Sequence, residues 1–145
     1  MSLSQLIYTS TCTEAMTAKK AYQVSSQSAK VCEGLGLTGR VFANQKHAFF
    51  VTEGPTELVK RFYQATEDDV LAAAVCLLSE REIVEREFKT YSVWLNIPGE
   101  SYDNKSVFLL NSETLKKALP ETLSSRIRIM ADAYLSSEIL DSSNA

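Results

Sequence analysis

Residues 38–52 read TGRVFANQKHAFFVT, and this stretch decides the fold. Thr38 to Asn44 (TGRVFAN) reads as one strand and His47 to Thr52 (HAFFVT) as the next. The link between them, Asn44-Gln45-Lys46, is polar and too short for a crossover. The two strands are therefore antiparallel neighbours. Upstream, Leu3 to Thr9 (LSQLIYT) is a compact apolar and β-branched run that reads as a strand. Glu14 to Cys32 reads as a helix, because Ala18, Ala21, Tyr22, Ser25, Ala29 and Cys32 recur at three- and four-residue steps. The face they make is small and only weakly apolar, and Gly34 and Gly36 break the helix after it.

Downstream, Glu53-Gly54-Pro55-Thr56 opens a second helix with Thr56 as its expected cap and Pro55 competing for the start. Leu58, Val59, Phe62, Tyr63 and Thr66 supply its apolar face, and Glu67-Asp68-Asp69 ends it. Ala73 to Leu78 (AAVCLL) reads as a buried strand. Tyr91 to Ile97 (YSVWLNI) alternates cleanly, and Pro98-Gly99 closes it. The order is βαββαββ, an α+β sandwich with two helices on one face of a five-stranded sheet. Ser112 is expected to cap a short helix over 113–119. Pro120 starts another, running through Ile139 with Leu123, Ile127, Met130, Ala131, Tyr134 and Leu135 as its stripe. These helices are expected to cover the open face of the sheet, and the polar tail 141–145 to fray. The expected division is a domain over residues 1–100 and a helical cap over 101–145.

The chain has 145 residues, 45% of them hydrophobic and 23% charged, which is ordinary globular composition. Fifteen Lys and Arg against 18 Asp and Glu give a net charge of −3. That balance argues against nucleic acid and against an anionic membrane surface as partners. No apolar run is long enough to span a bilayer. Cys12, Cys32 and Cys76 have spacings that suit neither a disulfide framework nor a zinc site, and imply reduced thiols in the cytoplasm.

Catalytic chemistry has little to build on. His47 is the only histidine, beside a hairpin turn, with no triad partners in sight. Metal-ligand spacings are absent, so no metal is expected. Gly34-Leu35-Gly36-Leu37-Thr38-Gly39 follows a helix and precedes a strand, the reverse of a phosphate cradle. The charged run Glu80-Arg81-Glu82 with Glu85-Arg86-Glu87 reads as a solvated loop. An acylphosphatase-like hydrolase would need an arginine-bearing phosphate loop after the first strand, where Thr9-Ser10-Thr11-Cys12-Thr13 stands. The chain is expected not to be an enzyme.

Leu6-Ile7-Tyr8-Thr9-Ser10, Leu37-Thr38-Gly39, Phe49 with Glu53-Gly54, and Phe88 with Tyr91-Ser92-Val93 together resemble the BLUF family, in order and spacing from Leu3 to about Ile97. The resemblance implies a ferredoxin-like fold with a mixed sheet, a blue-light sensor, and a flavin held between the first two helices. The two C-terminal helices resemble the cap of short, stand-alone members. Tyr8 matches the family's strand-one tyrosine, the donor to excited flavin. The family's glutamine falls on Phe50, which has neither donor nor acceptor. Its two adjacent asparagines at the end of helix one fall on Val31 and Cys32. An arginine of helix two falls on Ala65, and the polar segment after it is reduced to Asp69-Val70-Leu71-Ala72.

Fold-bearing positions thus remain while ligand-bearing polar positions have become apolar or small. Each buried flavin polar group left unpaired costs about 1–3 kcal/mol, and three such losses weaken binding on the order of a thousandfold. The expected pocket positions are Tyr8, Ser28, Val31, Cys32 and Phe50, in a cleft filled by its own side chains. No cofactor is expected, with FAD as the alternative. The function expected is a BLUF-like regulatory or protein-interaction module without flavin photochemistry. The alternative is a photoreceptor holding FAD in a variant pocket and signalling through its C-terminal helices. A homo-oligomer or a signalling protein partner is expected, with Tyr134 and Leu135 at the contact.

Overall fold

Thr17, rather than Glu14, sets where the first helix begins. Its side chain accepts a hydrogen bond from the Lys20 backbone N–H at 3.1 Å, and α1 runs Ala18–Gly34. Residues 13–17 are not helical, because the side-chain cap fixes the start four residues later than apolar spacing alone suggests. The structure is a computed structural model that describes residues 2–97, 106–111, 113–119 and 123–140.

Strands β1 (Leu3–Thr11), β2 (Thr38–Ala43) and β3 (His47–Pro55) form the antiparallel centre of the sheet. The β2–β3 hairpin is as read, with the Asn44 side chain accepting from the Lys46 and His47 backbone N–H groups across the turn. Gly39 sits at φ +148°, and a Cβ there would strike the Val51 carbonyl oxygen of β3. Helix α2 spans Thr56–Asp68. Its first residue, Thr56, does not cap it; the Thr56 hydroxyl bonds Ser4 at 2.7 Å and Ser2 at 2.9 Å instead.

Strand β4 is Cys76–Ile83, later than the apolar run suggested, and lies at one edge of the sheet. Leu77 and Leu78 are exposed there, so the run is not a buried strand. Strand β5 (Tyr91–Leu95) is fully buried and pairs parallel with β2. A sixth strand, β6 (Val107–Leu109), pairs parallel with β5 at the other edge. The sheet order is β4-β1-β3-β2-β5-β6, a mixed α+β sheet with one strand more than expected. The sheet therefore extends past residue 100, the expected domain boundary.

Helix α3 is a single turn, Leu115–Ala118, and α4 runs Ser125–Tyr134 into a π-helical turn over Leu135–Ile139. Leu123 and Ser124 precede α4, so the helix starts after the expected position. Pro120, Ser112 and the tail 141–145, read above as helix start, cap and frayed end, lie outside the described residues. Two cores sandwich the sheet. Leu6, Tyr8, Val41, Val93 and Leu95 pack under α1 and α2, while Ile7, Phe42, Phe49, Val51 and Trp94 pack under α3, α4 and the π-turn. Successive residues of each strand serve opposite cores, as the two-residue period of a strand requires. Leu135 is completely buried in the second core and Tyr134 is half-buried against Phe49, ring centroids 5.6 Å apart. Leu135 is therefore not available to a partner, which corrects the expected contact: the π-turn points it into the sheet.

Candidate functional site

Tyr8 stands at the middle of β1, directly opposite Phe50 on β3. Cross-strand partners bring side chains within contact on one face, and the two rings stack at 4.6 Å with only 11° between their planes. Tyr63 of α2 closes edge-on over Tyr8 at 4.8 Å. The Tyr8 ring has no exposure, and its hydroxyl reaches Thr52 Oγ1 at 3.5 Å, the long limit of a hydrogen bond. Burial pushes its phenol well above the ordinary range.

A cavity of about 260 Å³ lies between α1, α2 and the sheet, so the cleft is not filled by its own side chains. The filling fails because α1 presents alanine and serine to it. Phe50, Ser28, Ala65 and Thr66 line the cavity. Among the expected pocket residues, Tyr8, Val31 and Cys32 do not. Tyr8 is covered by Phe50. Val31 is 49% exposed, one step around α1 from the buried row Ala21, Ser25, Ala29, Cys32. Cys32 is buried deeper, beside Tyr91, where burial pushes its thiol up to about 12. Tyr91 is likewise buried, and its hydroxyl has no hydrogen-bond partner among the described residues. At the cavity Phe50 offers no amide, and Val31 and Cys32 are not part of its lining.

The opposite face carries a polar cluster that sequence reasoning missed. Arg81, Gln5 and Glu53 stand side by side on β4, β1 and β3. Gln5 Nε2 donates to Glu53 at 2.8 Å and to Glu87 at 3.0 Å, and Arg81 Nε donates to Gln5 Oε1 at 3.1 Å. Glu53, fully buried, also accepts from the backbone N–H groups of Glu87 and Phe88. Glu87 pairs with Arg81 at 3.0 Å and accepts from the Ser124 backbone N–H, at the start of α4, at 2.7 Å. Burial would raise the Glu87 carboxyl, but the Gln5 and Ser124 hydrogen bonds and the Arg81 charge outweigh it and hold it below the usual range. The run 80–87 is thus the end of β4 followed by a loop, and Arg81 and Glu87 within it are anchors rather than solvated charges. Its alternation of charge concealed that one Arg and one Glu turn inward to meet a buried glutamine.

At the other end of the cap, Asn44 donates to the carbonyls of Glu138 and Ile139, and Asn96 donates to Ile139 at 2.6 Å. His47 lies 3.6 Å from Glu138 and 3.4 Å from the Thr11 hydroxyl. Among the described residues, no group of three or more His, Cys, Asp or Glu could hold a metal, and no helix is long and apolar enough to cross a membrane.

A mixed sheet of this order, with two helices enclosing a cavity on one face and short helices on the other, is a ferredoxin-like α+β architecture. The family model "BLUF: Sensors of blue-light using FAD" matches residues 3–94, and the chain belongs to this family. Solved structures agree on the fold. "BlrP1 BLUF" superposes with a TM-score of 0.65 at 17% identity, covering 94% of this chain and 91% of that one. "BlrB - a BLUF protein, dark state structure" gives 0.58 at 22% identity, covering 66% and 73%. "BlsA photo-activated state" gives 0.59 at 16% identity, covering 94% and 97%. A bacterial light-regulated adenylyl cyclase matches 93% of this chain over 34% of its own length, with a TM-score of 0.60 at 18% identity. The comparison with curated proteins finds no match.

Proposed function

We propose that this chain is a BLUF-fold regulatory module that has lost flavin photochemistry and acts through contact with another protein, either a second copy or a signalling partner. The observation that carries this reading is the Tyr8–Phe50 stack. The aromatic ring of Phe50 stands between the strand-one tyrosine and the cavity, where a hydrogen-bonding amide would be needed. Phenyl cannot relay a hydrogen bond, so a ring bound in the cavity would meet a hydrocarbon face. The loss of amides at Val31 and Cys32 works in the same direction, and the deficit of about three hydrogen bonds weakens flavin binding on the order of a thousandfold. Regulation without metal chemistry suits a chain in which, among the described residues, no group of three or more His, Cys, Asp or Glu could hold a metal ion.

Titration of the purified chain with FAD and riboflavin, followed by quenching of flavin fluorescence, tests the reading. No saturation at micromolar flavin is expected; stoichiometric binding overturns it. A second reading, a blue-light receptor holding FAD in a variant pocket and signalling through its C-terminal helices, draws on the cavity remaining at the family's flavin position. The same titration decides between the two.

A further inference from the structure

We propose that the cavity between α1 and α2 is a binding site for a small, flat, neutral aromatic molecule of one or two fused rings with a single hydrogen-bonding group. This rests on the reading above, in which flavin does not occupy the cavity. Size sets the first limit. At about 260 Å³ the cavity falls below the roughly 300–1,000 Å³ of sites for drug-sized ligands. Shape sets the second. The floor is the sheet, through Val41, Val93 and Leu95, and the facing wall is α1, where Ala21, Ser25 and Ser28 are too short to reach across. Two extended elements facing each other over small side chains leave a slot. The rings of Phe50 and Phe62 line it and offer faces and edges for stacking.

Polarity supplies the handle. Ser25 and, one turn on, Ser28 line the cavity, and neither hydroxyl is committed to a protein partner among the described residues. A hydroxyl that opens into the cavity and makes no bond within the protein is available to a ligand's donor or acceptor. Charge excludes ions. The one carboxylate at the rim, Asp69, accepts from the Leu71 backbone N–H, and His47 is engaged with Thr11 and Glu138. Apart from Asp69, exposed at the rim, no carboxylate, lysine or arginine lines the cavity to compensate an ionised ligand, whose burial would be costly.

Indole is the probe, having two fused rings and one N–H donor, with 1-methylindole as the partner lacking that donor. Amide resonances of the full chain are followed during titration. Saturable shifts at Ser25, Phe50 and Phe62 are expected with indole. Ser25→Val should weaken indole about tenfold, the worth of one hydrogen bond, while leaving 1-methylindole unchanged. Ser28→Leu should fill the slot and abolish binding of both. If that variant does not fold, Ala65→Phe, at an exposed position of α2 that lines the cavity, serves the same purpose. Absence of saturable shifts, or binding that survives both filling substitutions, overturns the proposal. Riboflavin is run in parallel: if it saturates the cavity and displaces indole, the flavin-free reading fails; if neither binds, only the present inference does.

Discussion

Two buried phenols of the core beneath α1 and α2 have opposite prospects under mutation. Tyr8 has a distant partner in Thr52, whereas the Tyr91 hydroxyl is sealed in without one. A buried donor left unsatisfied costs about 1–3 kcal/mol, so removing it removes a penalty. Tyr91→Phe is therefore expected to stabilise the chain by about 1 kcal/mol, read as a higher urea midpoint with unchanged slope; a loss of stability would show that the hydroxyl has a partner. The residues behind these effects were unequally legible in sequence. Phe50 was placed by the family resemblance, and the register that sets it opposite Tyr8 belongs to the fold. Val31 could not share a buried face with Cys32, since adjacent helical residues point about 100° apart. The same spacing that identified the helix already left residue 31 off its buried face.

Among the elements, α4 depends on a carboxylate from the β4–β5 connection. Glu87 joins Gln5 and Arg81 to the Ser124 backbone at the helix start. Its carboxyl is held below the ordinary range in the folded chain. The stability it contributes is therefore fully present above its unfolded value near 4.3 and lost as pH falls through the folded value. Glu87→Gln is expected to cost about 1–3 kcal/mol at neutral pH, with the gap to wild type closing below about pH 4. Urea midpoints of both chains across that range check this; a constant gap would exclude the carboxylate charge as its source. Sequence reading missed this anchor because alternating charge over 80–87 is also what a solvated segment looks like. It missed β6 because three residues carry too little periodicity, and it placed β4 early because an apolar run suggests burial. At the sheet edge the same leucines are exposed, and the charged residues that follow them discourage edge-to-edge pairing.

At the scale of the molecule, the sheet is insulated on both faces, and the C-terminal segment is structural rather than appended. Leu135 is completely buried beneath it. Leu135→Glu is expected to unfold the chain, by placing an unpaired charge in the core, whereas Tyr134→Glu at the half-buried neighbour leaves a folded, weakened protein. Circular dichroism melts distinguish the two; a folded Leu135→Glu chain would mean that the segment detaches. The overall architecture was legible because hairpin spacing and alternation report topology directly. The open cavity was not, because its existence depends on how far α1 stands from the sheet, a distance that no periodicity encodes.

The central claim is that the fold is kept while the flavin switch is gone. The absorption spectrum of the chain purified from a flavin-replete host, taken before and after blue illumination, tests it most directly. The account predicts no flavin band and no change on illumination. A yellow protein whose blue absorption band shifts to the red under light, and recovers in the dark, would contradict it.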